Sequence, residues 1–194
     1  FDFSTYSLDA ALPSLERIKE KRIPLVINSS KTRSEIETMP SLTSLSGIFI
    51  VENGNAVFID RGFPLPSGFK TESSGESRAI VLGRPYADVL TCLRQSRAFC
   101  HARLKGFSDM TIEEISRITG LDIESSIRAK DREFSEPFLF EGDQTELDCL
   151  VSQLMERGFS FIEGGRLSYA MGRTDKGRAA SVVRDIYRSA FQDT

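Results

Sequence analysis

The chain has 194 residues, 40% of them hydrophobic and 27% charged, with a formal net charge of −3. That composition suits one large or two small globular domains, and the lack of a Lys/Arg block argues against nucleic acid as a partner. No apolar run approaches the roughly 20 residues a membrane helix needs, and no export-signal pattern opens the chain, so a cytoplasmic location without membrane contact is expected.

Helix-like and strand-like segments alternate, which predicts α/β architecture. Residues 9–22 read as an amphipathic helix with Leu12, Leu15 and Ile18 on one face and Pro13 in its first turn. IPLVIN (23–28) is a short apolar run of the buried parallel-strand type. A polar helical stretch over 33–45 follows, which Pro40 should break or kink. GIFIVE (47–52) is a second buried strand. Asn53-Gly54 signals a hairpin turn, with a return strand over 56–59. Gly, Pro and Ser accumulate over 61–76, which predicts a linker and a domain boundary.

A second unit follows. It opens with a strand over 78–82 and a helix over 86–98. Thr111 and Glu114 form a capping box for a helix that Gly120 closes. Further segments are a helix over 123–130, a strand over 134–140, a helix over 145–157, strands over 159–163 and 166–171, and a last helix over 175–191.

Cys92, Cys100 and Cys149 are widely spaced and odd in number, which predicts three reduced thiols. His101 stands alone, so a multi-histidine metal site is excluded. Any metal would be a hard, oxygen-bound ion such as Mg²⁺.

The strand IPLVIN runs directly into Ser29-Ser30-Lys31-Thr32-Arg33. Three hydroxyls and two cations thus gather at the carboxyl end of a strand, where open α/β sheets bind ligands, and at a helix start, where an anion is favoured. The same residues also suit a Ser/Thr cap beside a solvated Lys/Arg pair, and residue types leave both readings open. Lys176 in Thr174-Asp175-Lys176-Gly177 opens a helix, against the preference of the helix dipole, which is a mild pointer to function. Glu52 before the Asn-Gly turn has no local explanation. Lys130–Glu136 and Gly164-Gly165-Arg166 suit a solvated edge and a turn when each is taken alone.

In this order and spacing the segments resemble the mannosyl-3-phosphoglycerate phosphatase family of the haloacid-dehalogenase superfamily. The matching pieces are TYSLDAALPSL, PLVINSSKTRSEIE, IFIVENGNAVF, GFSDMTIEEISRITGL, AKDREFSEPF, GGR (164–166) and TDKGRAASVV. SSKTR, REFSEP, GGR and DKG together separate this group from other sugar phosphatases. The resemblance implies a Rossmann-like α/β core over 1–66 and 172–194, interrupted by an α+β C2B-type cap over 67–171. It implies an Mg²⁺-dependent phosphoric monoester hydrolase that forms an aspartyl-phosphate and releases mannosylglycerate from its 3-phosphoglycerate precursor. The partner is then a small phosphorylated sugar-glycerate.

Carried over residue by residue, Ser29 and Lys176 hold the phosphoryl oxygens. Ser30, Lys31, Thr32, Glu52, Asn53, Arg132 and Arg166 line the substrate pocket. The family's D-x-D-G-T motif is expected just before Phe1, and its G-D-x-x-N-D metal motif just after Thr194. Asp2 matches a position past the first motif and is a poor nucleophile. The segment alone is therefore expected to hold no metal ligands and to be inactive. Lacking a central strand, it is also expected to be poorly stable or aggregation-prone. Two other readings stay open: a non-catalytic sugar-phosphate-binding module, and a phosphatase for another ester such as glucosyl-3-phosphoglycerate. Nothing in the sequence sets an oligomeric state.

Overall fold

In the computed structural model, which describes residues 9–39 and 47–191, two sheets divide the chain. The first holds β1 (Ile27–Asn28), β2 (Ile48–Val51), β3 (Ala56–Asp60), β4 (Glu72–Ser74) and β5 (Ser77–Val81) in the order β1-β2-β3-β5-β4. The second holds β6 (Leu104–Gly106), β7 (Ser135–Phe140), β8 (Phe159–Glu163) and β9 (Ser168–Gly172) in the order β6-β7-β9-β8. The helices are α1 (Leu12–Glu20), α2 (Arg33–Glu37), α3 (Tyr86–Cys100), α4 (Ile112–Thr119), α5 (Ile123–Lys130), α6 (Gln144–Glu156) and α7 (Lys176–Phe191).

The apolar run of β2 is buried on both faces, as its composition predicts. Ile48 and Ile50 join Val57, Ile59 and the α7 residues Ala179, Val183 and Ile186. Phe49 and Val51 join Ile27, Phe58, Ile36 of α2 and Phe134. Burial of each Val, Ile or Phe side chain among them contributes roughly 1.5–3 kcal/mol. In the second sheet Phe138 and Ala170 pack on Val89, Leu93, Leu150 and Leu154 of α3 and α6. Leu139, one residue on from Phe138, joins the separate cluster of Phe107, Met110, Ile115 and Ala129 around α4 and α5.

The chain passes between the sheets after Val81 and again after Gly172. The two crossings touch: a Cβ on Gly172 would come within 2.8 Å of the Gly83 Cα. Glycine is needed there for the close backbone approach.

β1 pairs with β2 in parallel, the only parallel pair among the described strands. Its ladder is shorter than the predicted 23–28: the Ile23 N–H donates to the Ile18 carbonyl at 3.0 Å, and Pro24 has no N–H to give. α2 stops at Glu37 rather than continuing to 45, and Pro40 lies outside the described residues, as does Asp2. The expected hairpin turn at Asn53-Gly54 is present as a four-residue loop over 52–55, since Val51 and Ala56 are the last paired residues. The predicted linker over 61–76 is partly strand. β4 pairs with β5, and β5 pairs with β3 along its whole length, so the first sheet extends well past residue 66. Gly and Ser richness marks turns there rather than the change of sheet.

The reduced state expected for all three cysteines is corrected. Cys100 and Cys149 form a disulfide, and only Cys92 is a free thiol, buried in the core. The two partners lie 49 positions apart, and only the packing of α3 on α6 brings them together. No described helix is long and apolar enough to cross a membrane.

Candidate functional site

The turn after β1 lies where the two sheets meet. Ser29 prolongs the strand by donating its N–H to the Ile50 carbonyl at 3.1 Å. Thr32 then caps α2. Its Oγ1 accepts from the Glu35 N–H at 3.1 Å, and the Glu35 carboxylate accepts from the Thr32 N–H at 2.9 Å. This capping box was readable from the Thr-x-x-Glu spacing. It also weakens the helix-dipole argument for an anion here, since α2 has five residues and its capping amide is already satisfied.

A cavity of about 230 Å³ opens beside this turn. Ser29, Ser30, Lys31 and Arg132 line its polar side. Phe107, Leu121, Leu167 and Tyr169 of the second unit line much of the rest. Lys31 Nζ is held 2.8 Å from Glu35 Oε1, a lining carboxylate that the motif reading missed. Tyr169 was also missed, because a tyrosine on a strand carries no motif signal.

The other predicted residues lie around this cavity rather than among its lining. Thr32 is fully buried, and its hydroxyl donates to the Arg128 carbonyl of α5 at 2.8 Å. Glu52 is fully buried. Its carboxylate accepts from Glu133 N at 2.8 Å, Phe134 N at 3.2 Å and Ser135 Oγ at 2.7 Å, and it pairs with Arg132 Nε at 3.3 Å. Asn53 is buried, with its side-chain amide nitrogen unpartnered. Arg166 is exposed and donates to the Thr119 carbonyl at 3.0 Å, bracing the end of α4.

Lys176 opens α7 with an exposed side chain. Its carbonyl accepts from Asn28 Nδ2 at 3.1 Å, so the helix starts beside the end of β1, one residue before Ser29. Gly54 makes that approach possible. It has φ +95°, and a Cβ there would collide with the Asp175 carbonyl. Thr174 Oγ1 adds a bond to the Gly54 carbonyl at 3.1 Å.

The described residues do not suit a metal. No group of three His, Cys, Asp or Glu side chains among them is placed to hold an ion, and Glu35 is taken by Lys31 and the Thr32 amide. No metal ligand is assigned to them.

No family model matches the chain. Individual relatives do. A glucosyl-3-phosphoglycerate/mannosyl-3-phosphoglycerate phosphatase from Persephonella marina is 39% identical over 189 residues, covering 96% of this chain and 68% of the relative. A mannosyl-3-phosphoglycerate phosphatase from Pyrococcus furiosus is 34% identical over 184 residues, covering 94% of this chain and 73% of the relative. The solved structure of a haloacid-dehalogenase subclass IIB sugar phosphatase shares the fold with a TM-score of 0.60 at 11% identity, over 95% of this chain and 71% of that one. At this identity and coverage the chain is a member of the mannosyl-3-phosphoglycerate phosphatase family, phosphoric monoester hydrolases on the haloacid-dehalogenase fold.

Proposed function

We propose that the intact protein hydrolyses mannosyl-3-phosphoglycerate to mannosylglycerate and phosphate, through an aspartyl-phosphate and with Mg²⁺. The observation that carries this reading is the cavity beside Ser29, which joins Ser29, Ser30 and Lys31 of the first unit to Arg132 and an apolar and aromatic wall from the second. A phosphorylated sugar-glycerate has matching parts: anionic groups for Lys31 and Arg132, and a sugar ring for Tyr169 and its neighbours. Ser29 and Lys176 take the phosphoryl oxygens in this proposal, acting as fixed donors that offset charge in the transition state. The second sheet with α3 to α6 serves as the cap, over about residues 83–172 rather than 67–171.

The relatives' names support both a mannosyl and a glucosyl ester as substrate. Phosphate release from each ester by the full-length protein, with and without Mg²⁺, tests the proposal. Metal-dependent turnover of the mannosyl ester is expected, and release from neither ester removes the reading.

A further inference from the structure

Three successive carbonyl oxygens of the turn after β1 are gripped from behind. The Ser29 carbonyl accepts from Asn53 N at 2.9 Å, and the Lys31 carbonyl accepts from Glu52 N at 2.9 Å. Between them, the Ser30 carbonyl accepts from both terminal nitrogens of Arg132, at 3.3 and 3.2 Å. Arg132 is itself fixed. Its Nε lies 3.3 Å from Glu52 Oε2, and one terminal nitrogen donates to Ser135 Oγ at 2.6 Å. Ser135 Oγ donates onward to Glu52 Oε2 at 2.7 Å, which closes the network.

We infer that the buried Glu52–Arg132 pair is a positioning device that holds the Ser29–Lys31 turn in its ligand-binding shape and ties it to the entry of β7. The pair is almost fully enclosed, with side-chain exposures of 0% and 3%. Glu52 adopts φ +47°, a conformation uncommon for a residue with a side chain, so the loop is shaped around this carboxylate. All four contacts of the carboxylate are made within the protein, to residues 132–135 at the far end of α5. With no exposed surface and no place in the cavity lining, Glu52 is positioned to act through Arg132 and the turn. Arg132 lines the cavity while each of its guanidinium nitrogens bonds within the protein, two of them to the turn. A turn fixed through its carbonyls keeps the Ser29 and Ser30 hydroxyls and Lys31 preset, so that binding need not order them.

The inference rests on the proposed anion site but not on the identity of the sugar. Its test is the binding of inorganic phosphate to the full-length protein by calorimetry, beside KM for the mannosyl ester. Measurements are made where circular dichroism shows each variant folded. Glu52→Gln keeps the shape and removes the charge. Phosphate Kd and KM are expected to rise together by roughly 10- to 100-fold. Should Glu52→Gln fail to fold, Ser135→Ala removes the bridging hydroxyl alone and should also weaken phosphate binding.

A rise in KM with unchanged phosphate Kd would make Glu52 a substrate contact and overturn the inference. A lower melting temperature with unchanged phosphate binding would make the pair only a stabilising contact, which also overturns it. So would a native protein that does not bind phosphate. A native protein that binds phosphate but releases none from either ester removes the proposed activity, while the comparison among variants still decides the role of the pair.

Discussion

The Tyr86 hydroxyl lies 2.6 Å from Glu136 Oε2, linking the first turn of α3 to the start of β7. Glu136 is fully buried, and its other oxygen accepts from the Ser108 N–H at 2.8 Å. Burial raises the Glu136 carboxyl above its ordinary range, with the bonds from Tyr86 and Ser108 pulling the other way. The Tyr86 phenol is raised too, first by burial and then by the Glu136 charge, so it stays a donor.

Tyr86→Phe should destabilise the fold by about 1–3 kcal/mol, since it leaves a buried acceptor short of a donor. It should also move the Glu136 pKa higher. Because the folded-state value lies above the unfolded one, the native state binds the extra proton. The associated stability is complete below the unfolded carboxyl pKa and is lost as pH rises through the folded value. Urea denaturation across pH, with carboxyl titration by NMR, checks both. A variant with unchanged midpoint and unchanged titration would contradict this account.

Lys176→Ala should lower phosphate release by about 10²–10³-fold, the cost of removing one fixed donor to transition-state charge. The melting temperature should hardly change, because the side chain is exposed and the bond from Asn28 goes to the backbone. Activity assays and thermal melts on the full-length protein separate the two effects. Unimpaired turnover would remove Lys176 from the proposed site.

Gly54→Ala should impair the same function by another route. The added methyl would meet the Asp175 carbonyl and force the loop and the start of α7 apart. Both stability and turnover are expected to fall, the latter toward that of Lys176→Ala. A crystal structure of the variant should show the hydrogen bond from Asn28 to the Lys176 carbonyl broken. Native activity would show that the approach of α7 to β1 is not needed.

The Cys100–Cys149 link closes a span of 49 residues. In the chain-entropy description a loop of that size stabilises by about 4 kcal/mol. Cys149→Ser, or added reductant, should lower the melting temperature of the second unit. Intact mass under non-reducing conditions should show the bond. If the mass reports three free thiols, this contribution is absent.

The local signals in the sequence determined much of the framework. Thr111 and Glu114 cap α4, and Gly120 ends it in the left-handed conformation, because capping depends on residues only three or so apart. The unbroken apolar run of β2 announced a buried strand. The placement of hydroxyls after one strand, and of Lys176 at a helix start, marked two ends that the fold does bring side by side. These features were legible because each lies within one turn or one strand.

Tertiary structure alone decided the rest. Glu52 meets residues 133–135 across more than 80 positions, Thr32 meets Arg128 across 96, and Cys100 meets Cys149 across 49. No periodicity encodes such pairs, since they depend on how whole elements pack. For the same reason, the pairing of Glu52 with Arg132 could not be read from either segment alone. A buried carboxylate and a buried guanidinium cannot stay unpaired away from water, and at the meeting of the two sheets Glu52 and Arg132 are each other's partner.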